Sequence, residues 1–179
     1  MNLPLNVLFL CTGNSCRSII GEALADHLGQ GKLRGLSAGS HPTGAVNPGA
    51  LAVLARHAIV PEAPASQSMD DLEGEAVDLV ITVCDAAAGE ACPLWLEPTP
   101  KVHWGLSDPA HVTGASAEVE AAFEVTYEAL RERVGKLAAL DLASMDAEGL
   151  LAAAAGLHRK AVTDGRFART THSDKSLNG

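Results

Sequence analysis

The chain predicts an open α/β fold in which a parallel sheet is covered on both faces. Three observations carry that expectation. Strand-length apolar runs alternate with amphipathic segments, the order that right-handed β-α-β crossovers build. Two of the runs, 6–10 and 77–83, are nearly continuously apolar, as strands shielded on both faces are. Each of these two runs leads directly to a cysteine, Cys11 and Cys84, and ligands of open parallel sheets sit beyond the carboxyl ends of the strands.

Each element follows from local pattern. Residues 6–10 read as the first strand. Residues 17–28 read as a helix with Ile20, Ala23, Leu24, Ala25 and Leu28 on one broad face, stopped by Gly29 and Gly31. Residues 33–38 form a second strand that ends at Ser37-Ala38-Gly39. Asn47 is a good N-cap, with Pro48 in the first turn of a helix running to about His57. Two prolines make 60–67 a loop, and 68–73 read as a short helical turn with Asp70 and Asp71 near its start. Residues 77–83 and 101–104 are the third and fourth strands. A long amphipathic helix over 115–137 places Val119, Ala122, Phe123, Thr126, Leu130, Val134 and Leu137 at three- and four-residue intervals.

Beyond Leu137 the composition changes. Residues 140–160 are alanine-rich, and 146–158 pattern as an additional helix with Leu150, Leu151, Ala154 and Leu157 on one side. From 163 to 179 apolar residues almost vanish, so a disordered tail is expected. The expected organisation is therefore a catalytic domain over 1–137, a helical extension over 138–162 and a tail over 163–179.

At 179 residues the chain has room for one full core. Thirteen Lys and Arg against 22 Asp and Glu give a net charge of -9, which argues against nucleic acid as a partner. Neither a signal peptide nor an apolar run of membrane-spanning length is seen, so a cytoplasmic protein without membrane contact is expected; a monomer is expected as well. Four cysteines then point to catalysis, redox work or metal before structural disulfides.

The chemistry centres on the loop Cys11-Thr12-Gly13-Asn14-Ser15-Cys16-Arg17-Ser18. Successive amides in a tight strand-to-helix turn can converge on one point, and the positive end of the helix dipole adds to their field. Gly13 and Asn14 tolerate the positive φ such a curl needs. Arg17 can offer a planar fork to two anion oxygens. The same field favours a thiolate, so Cys11 is expected to be ionised near neutrality, with the Ser18 hydroxyl donating to its sulfur.

The Cys-x5-Arg-Ser pattern directly after a first strand resembles the low-molecular-weight protein tyrosine phosphatases, and its wording resembles the arsenate reductases of that family. The resemblance covers about 6–137. It implies a three-layer α/β sandwich with a four-stranded parallel sheet in the order 2-1-3-4, and an oxyanion bound by residues 12 to 18.

Two further segments bear on the activity. Cys84 and Cys92 lie eight positions apart with small residues and Gly89 between them. The spacing allows a mobile thiol relay; a zinc pair and plain buried cysteines are the rivals, although the gap is wider than a zinc knuckle. With Pro93 following, the segment resembles the redox segment of arsenate reductases. Asp108-Pro109 resembles the family's general acid, against a simple turn-forming Asp-Pro. Ala110 stands where phosphatases of the family carry tyrosine, and His103-Trp104-Gly105 resembles the reductases.

The resemblance then implies a mechanism. Cys11 attacks arsenate held by the loop and Arg17, Asp108 protonates the departing oxygen, Cys84 takes over the Cys11 sulfur as arsenite leaves, and Cys92 resolves the disulfide. No tightly bound cofactor is expected. Reducing equivalents come from thioredoxin, or from glutaredoxin with a low-molecular-weight thiol. Asn14, Glu22 and Ser37 match positions that some reductases use for a potassium ion. Cys16 is read as a packing residue beside a redox alternative, and none of the seven histidines has ligand spacing to another. The rival functions are a low-molecular-weight tyrosine phosphatase and a non-catalytic arsenite or metal binder.

Overall fold

In the computed structural model, which describes residues 1–163, the first apolar run forms β1 (Leu5–Cys11) at the centre of a parallel sheet. It is buried along its length apart from Asn6. β2 (Leu33–Gly39) and β3 (Leu79–Thr82) flank it, and β4 (Lys101–His103) pairs with β3. The order is β2-β1-β3-β4 and every pairing is parallel, as expected, with Phe9 between Ser37 and Ile81.

Alternation along β1 separates two apolar layers. Val7 and Phe9 face a large core shared with α1 (Arg17–Gly29), α2 (Pro48–Arg56), α4 (Ser116–Ala138) and α5 (Ala147–Thr163). Leu8 and Leu10 face a thinner layer, where Leu72 and Leu96 arrive from short 3-10 turns at Met69–Leu72 and Leu94–Leu96. Asn47 caps α2 by accepting the Gly49 N–H at 2.8 Å. The turn after the 60–67 loop is closed by a capping box between Ser68 and Asp71.

α5 docks on β4 and α4. Trp104, fully buried just after β4, donates its Nε1–H to the Ala154 carbonyl at 2.9 Å. Leu142, Leu150 and Ala154 join the same core as the sheet. Residues 164–179, nearly all of the expected tail, lie outside the described residues. No helix of the described residues is long and apolar enough to cross a membrane.

One element differs from expectation. The segment after Cys84, read as a loop free to bend, begins with a short helix, α3 (Asp85–Gly89). Three consecutive alanines are strong helix formers, and the Cys84 sulfur caps the helix by accepting the Ala87 N–H at 3.4 Å.

Candidate active site

Cys11 closes β1 and Cys84 follows β3 by two residues, so the carboxyl ends of two adjacent strands deliver two sulfurs to one place. The loop between β1 and α1 is held from outside. Its carbonyls accept from a surrounding shell: Thr12 O from His41 N, Gly13 O from Thr43 N and from the Ser66 hydroxyl, Ser15 O from Asn47 N. In a trans peptide the N–H points opposite the carbonyl. The amides of Gly13, Asn14 and Cys16 are thereby turned inward, toward the mouth of α1, and the Gly13 amide reaches the Cys11 sulfur.

Asn14 carries the positive φ, at 45°. Gly13, expected to share that role, does not need it; its lack of a side chain leaves room for Thr43, whose Cγ2 would lie 3.2 Å from an added Cβ. Asn14 is fixed in its conformation by its buried side chain, which donates to Ser18 Oγ at 2.8 Å and accepts from Gln67 N at 2.8 Å. The Ser18 oxygen is thus engaged with Asn14, and no Ser18–Cys11 hydrogen bond is present among the described residues. Gly39, at the end of β2, lets the loop approach: a Cβ there would stand 2.5 Å from Thr12 O and 2.9 Å from Cys11 O.

Arg17, the first residue of α1, donates through Nη1 to the Leu106 carbonyl at 2.8 Å and pairs through Nη2 with Asp108 at 3.5 Å. Its Nε–H is buried and has no partner. A buried guanidinium N–H beside inward-facing amides is a donor set suited to an oxyanion. Asp108 caps the turn at Pro109–His111 by accepting the Ala110 N–H at 2.9 Å, which sets its carboxyl against Arg17.

The proton balance of the sulfurs departs from expectation. Cys11 is pushed up, first by its hydrogen bond to Cys84 and then by burial, against the pull of Arg17. Cys84 is lowered to about 5, first by the bond from Cys11 and, against burial, by the Thr12 hydroxyl and the Ala87 and Thr12 amides. The contact between the two sulfurs therefore raises Cys11 and lowers Cys84, so that of the two it is Cys84 whose thiolate is favoured. A sequence reading that treated the loop's field as acting on one sulfur missed the second, which lies 73 residues on and accepts from Thr12 N at 3.4 Å.

Cys92 is half-buried against the thinner layer, and together with Cys11, Glu90 and Met69 it lines a small depression. Thr12 Oγ1 lies 3.5 Å from both Cys84 Sγ and a Glu90 carboxylate oxygen. Neither the Thr12 hydroxyl nor Glu90 had a sequence signal, since both contacts are made through space. Cys16 is buried in the main core and its thiol is pushed up by burial. All four cysteines are free thiols.

The three residues expected around a cation are only partly together. Ser37 donates to Glu22 at 2.5 Å, and burial pushes the Glu22 carboxyl up to about 7. Asn14 is joined to that pair through Gln67, whose Nε2 donates to Ser37 O at 2.9 Å. Ser37 lies at the carboxyl end of β2, two residues before Gly39. Among the described residues, the one group of three potential metal donors, His57, Glu124 and Glu128, includes neither Cys84 nor Cys92.

Comparison with known proteins agrees with this geometry. The family model of the low molecular weight phosphotyrosine protein phosphatases matches residues 6–150. An arsenate reductase of Bacillus licheniformis is 36% identical over 133 residues, covering 74% of this chain and 94% of its own. A solved arsenate reductase in the phosphate binding state superposes with a TM-score of 0.64 at 28% identity, over 75% of this chain and 97% of its own. A thioredoxin-dependent arsenate reductase of Corynebacterium glutamicum gives a TM-score of 0.54 at 26% identity, over 72% of this chain and 59% of its own. With the loop, the arginine and the sheet order all in place, the chain belongs to the low molecular weight phosphotyrosine protein phosphatase family, on the branch of its arsenate reductases.

Proposed function

We propose that the protein reduces arsenate to arsenite, and that Cys11, Cys84 and Cys92 act in sequence. The observation that carries this reading is that adjacent parallel strands bring Cys11 and Cys84 together at the floor of an amide-lined loop, where Thr12 N donates to the Cys84 sulfur. A phosphatase needs one nucleophilic sulfur; a second sulfur beside it serves a step that moves electrons.

The chemistry balances. Arsenate enters with its oxygens on the loop amides and the open Nε–H of Arg17. Cys11 sulfur attacks arsenic as its proton passes along the existing hydrogen bond to Cys84, and Asp108 gives a proton to the departing oxygen, which leaves as water. Cys84 passes that proton to an oxygen of the arsenic adduct and attacks the Cys11 sulfur as a thiolate. A disulfide forms, the sulfur–arsenic bond breaks, its electron pair stays on arsenic, and arsenite departs. Cys92 then attacks Cys84 and releases Cys11 as a thiolate, and an external dithiol of the thioredoxin type reduces the Cys84–Cys92 bond. Sulfur pairing needs Cα atoms within about 7 Å, and α3 is the element that lies between the two cysteines.

A potassium ion beside the loop would take oxygen donors from Glu22, Ser37 and Asn14, and a carboxylate whose burial works against its charge gains from such a neighbour. Thermal stability that rises in potassium relative to lithium salts, and does so less in Glu22→Gln, is the expected sign.

The test of the main reading is arsenate-dependent NADPH oxidation with thioredoxin and thioredoxin reductase, in the natural chain and in Cys11→Ser, Cys84→Ser and Cys92→Ser. Loss of turnover in all three supports the relay. Turnover by Cys92→Ser with glutathione and glutaredoxin moves the donor assignment. Brisk aryl phosphate hydrolysis that needs Cys11 alone, with no arsenate turnover, marks a phosphatase.

A further inference from the structure

We propose that Leu94 is the anchor on which the external dithiol reductase docks to reach Cys92; this rests on the relay above. Leu94 is 81% exposed, a large apolar side chain standing in solvent, while Leu96 of the same turn is fully buried. It lies two residues from Cys92, hence within about 7 Å along the chain. The exposed residues that precede it in the chain, Ala86, Ala88, Gly89 and Ala91, are small and offer a partner little to grip.

Leu94 is also firmly mounted. Lys101 Nζ donates to the carbonyls of Leu96, Glu97 and Thr99 at 2.7, 3.1 and 3.0 Å, pinning the turn that presents it. A fixed apolar group loses little freedom on binding, which is what an interface anchor requires. The chain between 85 and 100 carries Asp85, Glu90 and Glu97 and no Lys or Arg, so the rim suits a partner whose own thiol face is apolar and not acidic.

The direction of attack agrees. Cys92 is the more exposed of the two sulfurs in the reduced protein. Cys84, lowered to about 5, is the better leaving group. A partner thiolate therefore attacks the Cys92 sulfur and forms a mixed disulfide while Cys84 leaves as a thiolate. The partner's second thiol then displaces Cys92, which ends with two thiols restored here and one disulfide on the partner.

Leu94→Asp and Leu94→Met separate docking from chemistry through three measurements. These are arsenite formed in a single turnover by the reduced protein, reduction of the oxidised protein by dithiothreitol, and steady-state turnover against thioredoxin concentration. The expected result is a KM for thioredoxin raised about tenfold or more in Leu94→Asp and restored in Leu94→Met, with the other two measurements unchanged. An unchanged KM overturns the proposal, as does an equal slowing with dithiothreitol. Absence of arsenite in the natural chain's single turnover is instead a failure of the arsenate reductase reading itself.

Discussion

Removing Cys84 should make Cys11 more acidic, although the removed residue is itself an acid. At its ordinary value of 9.0 a thiol is about 1% ionised at pH 7, whereas one lowered to about 5 is about 99% ionised. Cys84 raises Cys11 twice over, through the hydrogen bond and through its charge, whereas Arg17 and the Gly13 amide lower it. In Cys84→Ala both effects of Cys84 disappear and only burial still opposes ionisation. Absorbance at 240 nm should show one thiolate forming near pH 5 in the natural chain. Iodoacetamide should label Cys11 at pH 8 about tenfold faster in Cys84→Ala than in the natural chain. In Cys11→Ala the Cys84 step should move upward, since its largest lowering contact is gone. A natural chain without a thiolate step between pH 4 and 7, or Cys11 labelling that is no faster without Cys84, would refute this account of the pair.

Other outcomes follow from the same geometry. Asp108→Asn retains the cap on Ala110 but has no proton to give, so kcat should fall by about 10²- to 10⁴-fold with the fold intact by circular dichroism. Gly39→Ala forces a Cβ against the backbone oxygens of Thr12 and Cys11; thermal and urea unfolding should report a loss of about 1–3 kcal/mol, and calorimetry a weaker affinity for phosphate. Glu22, raised from 4.5 to about 7, contributes stability that is fully present below pH 4.5 and lost as pH rises through 7. The stability of Glu22→Gln relative to the natural chain should therefore rise between pH 5 and 8, by up to about 3 kcal/mol, and a flat difference in urea melts would count against it.

Residues whose role is set by their neighbours in sequence were legible. The apolar run ending at Cys11, the Asn47-Pro48 helix start and the positive φ at Asn14 all follow from local chemistry, and the parallel pairing and strand order followed the alternation and the family resemblance. What was not legible depends on approach through space. The contact of Cys84 with the Cys11 loop, the Leu106 carbonyl that holds Arg17, and the Trp104 bond to Ala154 join residues far apart in the chain and leave no periodic trace. α3 is a different kind of miss. Small residues between two cysteines suggested flexibility, but alanine favours a helix wherever its first amides find an acceptor, and the Cys84 sulfur is that acceptor.

The bond from Trp104 into α5 also gives the protein two independent built-in light signals. The chain holds two tryptophans. Trp104 is sealed between β4 and α5, whereas Trp95 is half-buried in the layer that also holds Cys92. Disulfides quench indole emission on contact, so oxidation of the Cys92 segment should dim Trp95 and leave the short-wavelength emission of Trp104 in place. Loosening of the C-terminal helix should do the reverse, shifting Trp104 to the red at constant redox state. Emission spectra of Trp95→Phe and Trp104→Phe would assign each band, so that one unlabelled sample distinguishes turnover at the thiols from fraying at the far end of the chain.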